Sequence, residues 1–112
     1  MAAPTPKTRQ DLAGAALREI RVLRAGEAPT DVQKAQSDQK YDAIYAELGV
    51  VGVAFWDADE IPVAVFDPIT MLVAQRLAPS FGKDYAAGDA MQRLYVVAAK
   101  PWSGQTVKAL YY

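Results

Sequence analysis

The side chains best suited to chemistry lie close together in FWDADEIP, where Asp57, Asp59 and Glu60 cluster. Carboxylates at this spacing invite two readings, general acid–base work and calcium ligation. Calcium fails on position. An EF-hand loop begun at Asp57 needs glycine sixth and a bidentate glutamate twelfth, where this chain has Pro62 and Pro68. Acid–base work needs a basic partner or a cleft, and the turn shows neither. The cluster therefore reads as capping residues ahead of Pro62, itself suited to a first helical position. Ser37, Ser80 and Ser103 lie in no GxSxG elbow, and the chain has no histidine to activate them. The absence of cysteine excludes thiolate nucleophiles, disulfides and zinc–thiolate sites. No GxGxxG or Walker-type loop is present to cradle a phosphate. The expectation is a protein that is not an enzyme, with no catalytic residue, cofactor or metal.

What remains to position is a surface. The 112 residues fit one domain, and 52% apolar with 22% charged residues describes a globular chain. A formal net charge of -1 demands neither nucleic acid nor an anionic membrane as partner. The amino terminus lacks the apolar stretch of a secretory signal, and no run approaches the ~20 residues of a membrane span. A soluble, cytoplasmic protein is expected. Alanine is the commonest residue, which suits close packing of helices or of subunits.

The helical signals run in order. Thr8 with Asp11 resembles a capping box, and Leu12, Ala16, Ile20 and Leu23 recur on one face of a helix expected to stop at Gly26. Its outer side carries Arg18, Arg21 and Arg24, either dipole complements near a helix end or interface cations. Thr30 caps a second helix reaching about Leu48, polar in its first half and apolar in its second. Gly49 to Trp56 reads as an extended connector. Pro62 to Leu77 predicts a short helical turn, a kink at Asp67-Pro68, and a fresh helix with Asp67 as its cap. In LVAQRLAPSFGKDY that helix stops at Pro79, turns through Gly82, and a fourth begins at Asp84. Ala87, Met91, Leu94 and Ala98 form the fourth helix's inner face. Beyond Pro101, the segment to Tyr112 alternates with a period of two, like a strand without a partner. It is expected to fray or to dock on another chain, with Trp102, Val107, Tyr111 and Tyr112 as docking residues. The fold class predicted is all-α, a four- to five-helix bundle over 1–100 with an extended strand-like C-terminal arm, 101–112.

Two stretches carry a resemblance. TRQDLAGAALREIRVLRAGEAPT is similar to the first capped helix and loop of phage head-to-tail adaptor (head-completion, connector) proteins. FWDADEIPVAVFDPITMLVAQRLAPSFGKDYAAGDAMQ resembles their middle, in which an aromatic-acidic turn and Ile-Pro precede an alanine-rich helix. The likeness covers residues 8 to 100 in order, and Asp67-Pro68 departs from the smooth helix of the family. The resemblance implies a structural virion protein at the head–tail interface, assembled in the host cytoplasm. Such proteins form a homo-oligomeric ring, commonly of twelve copies, below the portal protein. They extend the channel through which DNA passes without sequence recognition, and present the attachment surface for a tail nozzle or stopper protein. Arg18, Arg21 and Arg76 are the candidate inter-subunit or portal-facing contacts, and residues 101–112 the candidate arm. The competing reading is a small helix-turn-helix regulator binding DNA through helix four, with Gln92 and Arg93 exposed.

Overall fold

Thr8 starts the first helix. Its hydroxyl accepts from the Asp11 amide at 3.1 Å, and the Asp11 carboxylate accepts from the Thr8 amide at 3.1 Å. These are the two bonds of the expected capping box. The computed structural model describes residues 5–99 of the chain, and in it this helix, α1, spans Arg9–Glu19. Helix α2, Asp31–Val50, opens in the same way, Thr30 and Gln33 exchanging the two bonds. Helix α3, Val63–Leu77, runs into a 3-10 turn, Ala78–Phe81, and α4 spans Ala90–Ala99. Over the described residues the fold is all-α, a bundle of four helices. The expected arm, with Trp102, Val107, Tyr111 and Tyr112, lies outside the described residues.

Helix α3 is the axis of the packing, in contact with α1, α2 and α4. It buries Val65, Ile69, Val73 and Leu77 completely, four-residue steps along one stripe. In the same buried cluster lie Leu12, Ala16 and Leu17 of α1 with Ile20 just past its end, and Tyr41, Ile44 and Leu48 of α2. Ala13 and Ala16, both wholly buried, let the α1 backbone approach closely. Each large apolar side chain taken from water contributes roughly 1.5–3 kcal/mol.

That scale decides the fate of Pro68, where the structure corrects the expected kink. Helix α3 passes through Pro68 unbroken, and Asp67 is an interior residue instead of a cap. A proline there withholds an amide from the Ala64 carbonyl and costs about 3 kcal/mol. Val65 before it, and Ile69, Leu72 and Val73 after it, recover more than that only if one helix carries them all.

Three other boundaries differ from expectation. Helix α1 ends at Glu19 instead of Gly26, because Arg21 turns left-handed at φ 63°. The Val22 amide then donates to the Leu17 carbonyl at 2.9 Å and the Arg21 amide to Arg18 at 3.0 Å. This is a Schellman cap, and it removes Arg21 and Arg24 from the helix they were expected to share with Arg18. Helix α4 begins at Ala90 instead of Asp84. Gly88 takes φ 60° inside the expected helix, and the Tyr85 hydroxyl is committed to Glu19. Pro62 is the cap position of α3, not its first residue, with no side-chain bond.

The connector after α2 is held by tyrosines. The apolar run first continues the helix to Val50, then turns at Gly52 and buries Val53 and Trp56. Tyr41 donates to the Ala58 carbonyl at 2.8 Å and accepts from Trp56 Nε1 at 3.1 Å, while Tyr45 donates to the Trp56 carbonyl. Burial raises the Tyr41 hydroxyl above its ordinary pKa, with the Trp56 bond opposing. An isolated antiparallel bridge, Lys7 to Ile61, then fixes the chain entering α1 against the start of α3.

Candidate interaction surface

The acidic turn proves to be a structural joint. Arg9 Nε donates to Asp59 and Arg9 Nη1 to Asp42, each at 2.7 Å, with the guanidinium over the Tyr41 ring at 5.1 Å. One arginine thus ties α1, α2 and the connector together. Burial alone would lower its proton affinity, and the bonds to Asp59 and Asp42 more than reverse that. Asp57 accepts from the Asp59 amide at 2.9 Å, a local turn in place of the expected cap for Pro62. Among the described residues no group of three or more acidic side chains is placed to hold a metal ion. Arg9 carried no signal of its own in the sequence, because its partners lie 33 and 50 positions away.

Arg18, Arg21 and Arg76 go to three different places. Arg18 folds over Gly14 and donates to the Glu27 carbonyl at 3.3 Å. Arg76 makes a two-pronged pair with Glu47, at 2.6 and 2.8 Å, joining α3 to α2. The guanidinium hydrogen bonds hold the Glu47 carboxyl below its ordinary value, and Glu47 in turn raises Arg76. Arg21 stands beside a cleft of about 480 Å³ with Lys83 and Asp84. In the same cleft Tyr85 donates to Glu19 at 2.8 Å; burial, then that bond, push its hydroxyl up to about 12.

A fourth helix was expected, but the sequence did not disclose its exposed apolar face. Helix α4 packs on α3 and on no other helix among the described residues. Only Ala90 and Leu94 of this helix are buried, while Tyr95 is 47% and Val96 56% exposed. A groove of about 330 Å³ runs between α4, α3 and the end of α2, walled by Leu48, Val51, Leu72, Met91 and Tyr95. The Arg76–Glu47 pair forms its polar corner. Val50, the last residue of α2, is 88% exposed. The expected inner face put Met91 in the core, whereas it lines this groove half open. The hint lay in Met91 and Tyr95, four residues apart, with no polar residue on that side. On the other flank of α4, Arg93 donates to Asp67 at 3.0 Å and to the Met71 sulfur at 3.4 Å.

No family model matches the chain, and no curated protein or solved structure is significantly similar to it.

Proposed function

We propose that the chain is a phage head-to-tail adaptor that acts by assembling as a ring below a portal. The observation that carries this reading is α4, a helix with one helical neighbour among the described residues and a groove of mostly apolar side chains beside it. A monomer gains nothing from holding Val50, Val51, Met91 and Tyr95 in water. A subunit that stacks between others covers them. The ordered resemblance over residues 8 to 100 supplies the setting: portal on one side, tail component on the other, DNA sliding through without recognition. The groove is the landing surface for the 101–112 arm of a neighbouring copy, whose aromatic residues suit it.

The regulator reading is the weaker one. Its recognition helix would follow a short turn, and here Ala78 to Asp89 intervenes between α3 and α4. Arg93, one of its two base-reading candidates, is engaged with Asp67.

The test is to mix the full chain with portal particles, image them, and measure mass by light scattering. A ring on the portal is expected. Deleting residues 101–112 should leave the helical circular dichroism nearly intact and weaken assembly. A salt-sensitive complex with duplex DNA and no ring would overturn the proposal.

A further inference from the structure

Three helical segments of this chain finish with the same pair of capping bonds. At α2 the Val53 amide reaches Leu48 and Gly52 reaches Gly49; after the 3-10 turn, Lys83 reaches Ala78 and Gly82 reaches Pro79. Both place glycine at the left-handed position, φ 77° and 68°. The α1 cap places Arg21 there, the one non-glycine residue with positive φ among those described. A side chain at that position crowds the neighbouring carbonyl, which glycine avoids. Strain of this kind persists where the side chain itself is used. Yet within the described residues no hydrogen bond or ion pair holds the Arg21 guanidinium, and Lys83 beside it in the cleft is equally unpaired.

A second cleft, lined by residues early in α3, shows the complementary lack. Pro68 has no amide for the Ala64 carbonyl, and both residues line a cleft of about 450 Å³ with Asp89, Gln92 and Val96. The Asp89 carboxylate has no cationic partner among the described residues, since Arg93 is committed to Asp67. One cleft therefore offers two spare cations, Arg21 and Lys83, beside the carboxylate of Asp84, and the other a spare carboxylate and a spare carbonyl.

We propose that these two clefts are the two halves of one contact between copies of the chain. Arg21 and Lys83 of one copy engage Asp89 and the freed Ala64 carbonyl of the next. The contact joins different patches, so it propagates from copy to copy and closes as a ring where the rotation allows. It rests on the ring-forming reading above and assigns that reading a polar interface. The planar guanidinium fork suits a carboxylate and a carbonyl together, which explains arginine where glycine would relieve the backbone.

The test uses the full chain, with and without portal, in a light-scattering concentration series. Arg21→Gly should raise the thermal midpoint by about 3 °C as strain is released, yet weaken self-association about tenfold. A merely structural Arg21 would not split the two readouts. Lys83→Glu and Asp89→Lys should each weaken association about tenfold, and the two together should regain most of the loss. If Arg21→Gly or Asp89→Lys associates like the parent, or the swap restores nothing, this contact is wrong while rings of the parent chain keep the adaptor reading. If the parent chain forms no ring with or without portal, both fall.

Discussion

Among the described residues helix α3 has three helical neighbours and α4 has one, although both carry comparable apolar sequence. The difference lies in what each does with it. Along α3 the apolar stripe is spent inside the chain, from Val65 to Leu77. Along α4 only Ala90 and Leu94 are spent, and Met91, Tyr95 and Val96 are kept. A helix can therefore be amphipathic toward its own core and still present a second apolar face. In a monomer that face is idle; in an assembly it is the contact.

The comparison breaks most readily by truncating one residue in each helix. Ile69→Ala, at the wholly buried centre of α3, should cost about 3 kcal/mol of unfolding free energy. Tyr95→Ala should change stability by less than about 0.5 kcal/mol while reducing assembly on the portal. Urea melts together with light scattering check both. If Tyr95→Ala destabilises the fold as Ile69→Ala does, α4 is core and the contrast between the helices disappears.

Tyr41→Phe probes how polar bonds lock the core side. It removes the one hydroxyl that accepts from the Trp56 indole N–H and donates to the Ala58 carbonyl. The expected loss is about 1–3 kcal/mol, read from the urea midpoint. Ser37→Ala acts in the opposite direction. The Ser37 hydroxyl is wholly buried and has no hydrogen-bond partner among the described residues, and alanine is the better helix former. A gain of about 1 kcal/mol is expected.

These variants also mark what the chain's letters disclose. The first capping box was legible because it is closed by residues three apart, Thr8 with Asp11, and Thr30 was legible as a cap, though not its return bond from Gln33. The all-α class followed from the same local periodicities. Arg9 and Arg76 were not legible as joints, since their carboxylates come from distant parts of the chain. The end of α1 and the course of α3 differ from expectation for separate reasons. Propensity favours stopping α1 at glycine, and a left-handed Arg21 caps it earlier. Propensity favours breaking α3 at proline, and the buried stripe on both sides of Pro68 overrules it. The groove beside α4 required knowing where that helix starts. A start at Asp84 turns Met91 inward, and the Gly88 turn postpones the start to Ala90.

The smallest effect is the most diagnostic of the groove's polar corner. Glu47 is exposed and titrates below its ordinary 4.5, chiefly because Arg76 hydrogen-bonds its charged form. A carboxyl lowered in the folded state favours folding above its unfolded value, and that contribution is lost as pH falls through the folded one. Stability should therefore decline slightly from about pH 4.5 downward, and Arg76→Ala should remove that part of the decline. A carboxyl-detected NMR titration reads the cause directly: Glu47 should return toward 4.5 in Arg76→Ala. The pair is solvent-screened, so its contribution to holding α2 on α3 is minor. Its second consequence concerns the groove. An arginine already paired at the rim gives an incoming segment a neutral edge, so docking there should depend weakly on salt. The contact assigned to Arg21, Lys83 and Asp89 should weaken steeply as salt rises. Measuring assembly of the parent chain and of the 101–112 deletion across ionic strength separates the two surfaces, because the deletion leaves only the salt-sensitive one.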